Sequence, residues 1–149
     1  MRKTIIAAAA AAAFLPLLAS AQFAKTEDAI KYRQSALFIM GQHFGRIGAM
    51  VNDKIPFDAA EAKASAGVVD VVAKLPWPGF VPDSSKGETK ARPEIWQDSA
   101  KFKAAQERLV GTLPKLVAAS DTGDKAKIKE AFGETAAACK NCHDSFRAK

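Results

Sequence analysis

Residues Thr26 to Val51 read TEDAIKYRQSALFIMGQHFGRIGAMV, and this stretch decides the fold. Ile30, Leu37, Phe44 and Val51 recur every seven residues, with Arg33, Met40 and Ile47 interleaved at the same interval. Seven residues make nearly two helical turns, so both sets fall on one stripe, the a/d seam of an antiparallel bundle. Thr26 is placed as an N-cap, and Glu27 and Asp28 suit the positive end of the helix dipole. Arg33 is the odd member, a charge where the seam calls for an apolar group.

Three more helices follow. The second opens after Pro56 with Asp58 and Glu61, spaced as a capping box, and Pro76 is expected to stop it. Its inner face, Ala62, Ala66 (or Ser65), Val69 and Val72, is small enough for a neighbour or a flat ligand to come close. Residues 76–98 carry four prolines and two glycines, the mark of a long connection. Trp77, Phe80 and Trp96 imply that parts of it pack down. A third helix is expected over 98–119, with Phe102, Ala105, Leu109, Leu113 and Leu116 on one face and a kink at Pro114. Asp124 caps the fourth, whose stripe is Ile128, Phe132 (or Ala131), Thr135, Cys139, Cys142 and Phe146. No run of six residues alternates like a strand. The expected class is all-α, an antiparallel up-down four-helix bundle with a long loop between the second and third helices.

Residues 1–21 stand apart. Arg2 and Lys3 precede an apolar run over 5–18, and Ala19-Ser20-Ala21 supplies the small-x-small pattern of a cleaved signal peptide. The run is shorter than the roughly 20 residues that span a bilayer. The expectation is therefore an exported protein, cleaved before Gln22, with one domain over 22–149 and no membrane association afterwards. Loss of Arg2 and Lys3 lowers the formal charge from +6 to +4. Basic and acidic residues are interspersed, which argues against nucleic acid as a partner.

Cys139-Lys140-Asn141-Cys142-His143 is a C-x-x-C-H motif, the covalent attachment sequence of haem c. Residues three apart lie on one helical face, so both thiols can add to the vinyl groups of one haem. His143, one residue further, can turn its imidazole onto the iron. With two cysteines and two histidines in 149 residues, chance gives this arrangement roughly two times in ten thousand, which favours a built site. Three other readings fit less well. A thioredoxin-like pair belongs at a helix N-terminus after a strand. A zinc site needs about four ligands, and only distant His43 could complete one. A disulfide between i and i+3 of a helix would be strained.

The whole chain after residue 21 resembles the cytochromes c′ of the class II cytochromes c. The matching segments are Gln22-Phe23-Ala24-Lys25, Lys31-Tyr32-Arg33-Gln34-Ser35-Ala36-Leu37, Leu75-Pro76-Trp77, Ala91-Arg92-Pro93-Glu94-Ile95-Trp96 and the run from Cys139 to Arg147. Departures are Pro114, a slightly longer loop around Lys86 to Lys90, and Phe146 where relatives often carry tyrosine. The resemblance implies one covalently attached haem c and a periplasmic location. It places Arg33 and Gln34 over the haem edge with Glu94 nearby, and Arg147 beside the imidazole of His143. Dimers packed through the first two helices are common in the family. A propionate would explain the charge of Arg33 on the seam, as would a snorkelling arginine at the bundle edge.

Leu37 matches the family's position above the open face of the iron. On the seam alone it is an ordinary core leucine. An apolar cap over five-coordinate iron favours NO and CO, because bound O₂ carries charge that wants a hydrogen-bond donor. The function expected from the resemblance is binding of NO and CO, with electron transfer to an unknown redox partner. The rival is a low-spin electron shuttle with Met40 as sixth ligand. An enzyme is not expected, since the pocket offers no acid or base above the iron. His43, about 240° round the helix from Leu37, points away. Mass spectrometry of the exported protein should find a chain beginning at Gln22 plus one haem that acid-acetone does not extract. Extractable haem, or a Cys139–Cys142 disulfide, would refute the motif reading.

Overall fold

The computed structural model describes residues 22–149. Its helices are α1 (Thr26–Val51), α2 (Ala59–Val72), α3 (Glu94–Gln97), α4 (Ser99–Asp121) and α5 (Lys125–Phe146), with a 3-10 turn at Trp77–Gly79. The four long helices form the expected bundle. The single turn of α3 and the 3-10 turn lie within the long connection. The proposed leader, residues 1–21, lies outside the described residues. No described helix is long and apolar enough to cross a membrane.

Two of the three expected caps form, at Asp58 and Asp124, and Asp98 adds another. Asp58 accepts from the Glu61 N–H at 3.0 Å, Asp98 from Lys101 at 3.1 Å, and Asp124 from Ala126 at 2.8 Å. Each satisfies a backbone donor that a helix start leaves bare. At α1 the cap position is Lys25 instead of Thr26, and no side chain bonds there. The second half of the capping box at α2 is also absent. Glu61 turns instead to Arg46 at 2.8 Å and accepts from Ser65 at 3.2 Å. Helix α2 ends at Val72, ahead of Pro76, and α4 runs unbroken through Pro114, whose ring faces solvent between buried Leu113 and Leu116.

Neighbouring helices pack as α1 on α2, α2 on α4, α4 on α5 and α5 on α1. One end of the bundle is a closed core of Ile47, Met50, Val51, Ala62, Ala66, Val69, Leu113, Leu116, Ile128 and Ala131. The other end is different because α2 has 14 residues against 22 to 26 in the other long helices. Three helices cannot close that end. The connection fills part of the gap with aromatic rings. Phe102 meets Phe80 at 4.9 Å and Phe146 at 5.2 Å, and the Trp77 and Trp96 indoles donate to Ala73 O and Phe80 O.

Gly79 lets this connection lie on α1: a Cβ there would sit 2.7 Å from the Ala29 carbonyl oxygen and 2.9 Å from Arg33 Cβ. The chain end is tied to the same connection. Ala148 N–H donates to Lys90 O at 2.8 Å and Arg92 N–H to Phe146 O at 3.0 Å, pairing Ala91 with Arg147.

Candidate functional site

The open end of the bundle holds a cavity of about 540 Å³. Its α1 wall is Arg33, Gln34, Leu37, Phe38, Met40, Gly41 and Phe44. Facing it, α5 presents Thr135, Cys139, Cys142 and His143. Phe102 and Leu109 of α4, Trp77 and Phe80, residues 89–91 and Arg147 also line it, with Val69, Ile95 and Phe146 behind them. Seven of the eight residues singled out from the sequence therefore line one space. Glu94 does not. It begins α3, where its own backbone N–H and then the paired Arg92 hold its carboxyl below the usual range. His43 is also off the cavity, with Nδ1 3.2 Å from Ser65 Oγ at the α1–α2 contact.

Helix α1 runs against α5. Phe44 stacks on Phe132 at 4.4 Å, and Asp53 pairs with Lys125. Each step up α1 is thus a step down α5. Leu37 stands level with about residues 139–141, and Met40 with about 136–138, some 4.5 Å deeper along the axis at 1.5 Å per residue. Leu37 faces the cysteine turn. Met40 is packed against the closed core.

Arg33 is 1 % exposed, yet its charge is well provided for. Nη1 donates to Gly79 O at 2.8 Å and Ser84 Oγ at 2.6 Å, and Nη2 to Ser84 O at 2.6 Å and Thr89 Oγ1 at 3.0 Å. Its guanidinium lies 4.6 Å over the Phe80 ring and 5.8 Å from that of Trp96. Burial lowers its pKa to about 10, which leaves it charged at neutral pH. The fork therefore organises the long connection, an account of its place on the seam that needs no ligand. Gln34 Nε2 likewise donates to Glu88 O at 2.9 Å.

Both cysteines are free and half-buried. Burial raises the pKa of Cys139, and burial with the neighbouring Cys139 pushes Cys142 up to about 11. These are neutral thiols, the opposite of the depressed pKa that a redox-active pair needs. Burial lowers the pKa of His143, the charge of Arg147 lowers it further, and Asp144 partly opposes both. The shift favours the neutral imidazole, whose lone pair can bind a metal. Among the described residues no cluster forms that could hold zinc, and His43 is elsewhere. Two thiols and one imidazole on a single turn, facing an apolar cavity of ligand size, fit a covalently held haem.

Several wall residues carried no sequence signal of their own. Phe102, Leu109 and Thr135 obey the helical period, and periodicity cannot separate a cavity wall from a packed core. Ser84 and Thr89 lie in an aperiodic loop, so their bonds to Arg33 leave no trace in spacing.

A cytochrome c′ family model matches residues 28–147. The cytochrome c′ of Alcaligenes xylosoxydans xylosoxydans is 49% identical over 128 residues, covering 86% of this chain and 99% of that protein. The crystal structure of cytochrome c′ from Rubrivivax gelatinosus superposes with a TM-score of 0.81 at 48% identity, covering 85% of this chain and 100% of that one. A nitric oxide complex of a leucine-to-alanine mutant of cytochrome c prime from Alcaligenes xylosoxidans gives 0.79 at 48% identity, covering 86% and 99%. The bundle and its site are those of a c-type haem protein. The chain belongs to the cytochrome c′ family, whose members carry covalently attached haem c.

Proposed function

We propose that this chain is an exported, periplasmic haem protein that binds NO and CO at an apolar pocket and can pass electrons to a redox partner. The haem iron supplies both the gas-binding and the redox centre. Cys139 and Cys142 would hold the haem covalently, and His143 on α5 would offer its imidazole to the iron. The observation that carries the reading is Leu37, a hydrocarbon on the α1 wall level with the cysteine turn. The polar neighbours on that wall are engaged elsewhere: Gln34 bonds Glu88 O, and Arg33 bonds the connection through four of its five N–H groups. A charged O₂ adduct would find little support there, whereas NO and CO need none. The α1 wall also carries no carboxylate or imidazole for general acid–base work, which favours binding over catalysis.

The relative from Alcaligenes xylosoxidans with bound nitric oxide supports this assignment. So does the depth of Met40, which lies a turn beyond Leu37 and is packed against the closed core. Export is supported by the leader pattern of residues 1–21. A homodimer is favoured by large apolar side chains left in water on α1 and α2, with Phe38 66% and Val71 61% exposed, as are Ile39 and, just past α2, Leu75. Sedimentation should then give twice the mass of the mature chain, and Phe38→Asp should give the monomer. A wild-type monomer would refute the dimer.

Leu37→Ala removes the side chain that an incoming gas must displace. CO association should quicken by about tenfold or more, equivalent to about 1.4 kcal/mol off the barrier. Stability should fall by less than the ~2–5 kcal/mol usual for a core leucine, because the site borders a ligand space. Unchanged CO kinetics would place the cap on another residue.

A further inference from the structure

The connection between α2 and α4 is bonded to both helices that flank the cavity, and its two anchors are almost adjacent. On the α1 side, Arg33 holds Gly79 O, Ser84 and Thr89 Oγ1, and Gln34 holds Glu88 O. On the α5 side, Lys90 O and the Arg92 N–H bond the chain on either side of Arg147. Thr89 is the joint between them. Its Oγ1 accepts from the Arg33 guanidinium at 3.0 Å and from the Ala91 N–H at 3.1 Å, and Ala91 is the residue paired with Arg147.

We infer that Thr89 is a positioning residue that couples α1 to the imidazole end of α5, holding Arg147 against His143. The link itself stands on hydrogen bonds, while its consequence for iron rests on the reading of His143 as ligand. Helix α5 ends at Phe146, and Arg147 is already extended, with φ −119° and ψ 129°. A chain end of this kind frays unless it is tied down. Here the ties are the Arg147 N–H to His143 O at 3.0 Å and the two bonds to residues 90 and 92. They hold Arg147 on the cavity wall that it shares with His143.

The other end of the link is rigid. Arg33 is buried and stacked against Phe80, and it lies one turn from Leu37 on the same stripe. A ligand that displaces Leu37 pushes on the helix that carries Arg33. That push reaches Thr89, then the pairing of Ala91 with Arg147, then the imidazole on the opposite wall. The two faces of the site are thereby connected through the loop as well as across the cavity.

The test compares Thr89→Val with Thr89→Ser in the haem-loaded protein. Valine keeps the shape and removes the acceptor, and serine restores it. Arg33 retains Ser84 and Gly79 in both, so the fold is kept. Amide hydrogen exchange at Ala148 and Arg92 should quicken by about tenfold in Thr89→Val, the scale of one lost hydrogen bond. The iron–imidazole stretching band of the ferrous protein should shift in the same variant, and Thr89→Ser should return both to the wild-type values. Exchange that changes only within residues 84–89 would overturn the coupling. Faster exchange at Ala148 with an unmoved band would overturn the positioning role. A wild-type protein without any such band would refute His143 as the sole protein ligand of the ferrous iron, and the exchange at Ala148 would still decide the coupling.

Discussion

A guanidinium taken out of water must find a partner for nearly every N–H it carries, and Arg33 meets that demand with backbone and hydroxyl oxygens of one loop. Much of the open end of the bundle follows from this. The loop has to come within hydrogen-bonding distance of α1, which only a glycine at position 79 allows. Once there it lays Phe80 under the guanidinium and brings residues 89–92 to the end of α5. The cavity mouth is shaped by that one buried charge.

The two ends of the bundle divide the labour of stability and function. At the closed end, Ile47, Met50, Val51, Leu113, Leu116 and Ile128 fill the interior completely. Burial of this kind is the main favourable term in folding. At the open end α2 stops early, and three helices with a loop surround a space that side chains do not fill. Haem is what fits it, and burying that large apolar group would supply packing the helices cannot supply alone. Burial there also keeps the thiols and the imidazole neutral, the states that attachment and ligation require. Fold and cofactor site are thus two answers to one packing problem.

Helix α1 was legible from its heptad seam, and the starts of α2, α4 and α5 from Asp58, Asp98 and Asp124, because both signals are local and periodic. The C-x-x-C-H motif was legible for the same reason: its chemistry lies in spacing. Thr26 misled as a cap because Lys25 already holds the extended backbone that a cap position needs. The partners of Arg33 were illegible, since Ser84 and Thr89 lie more than 50 residues away in a stretch without period. The charge itself was visible as an anomaly on the seam. What it answered to was a tertiary fact. Glu94 shows the converse, a residue of a matching segment whose carboxylate is drawn off the cavity by Arg92 two positions before it.

The proposed gas-binding role requires a haem iron with one protein ligand, His143, and Leu37 over its open face. The visible and resonance Raman spectra of the ferrous protein at neutral pH, without added gas, test it most directly. A five-coordinate high-spin spectrum that Met40→Leu leaves untouched is the result expected. A six-coordinate low-spin spectrum that Met40→Leu converts to high-spin would contradict the account and make the protein a methionine-ligated electron carrier.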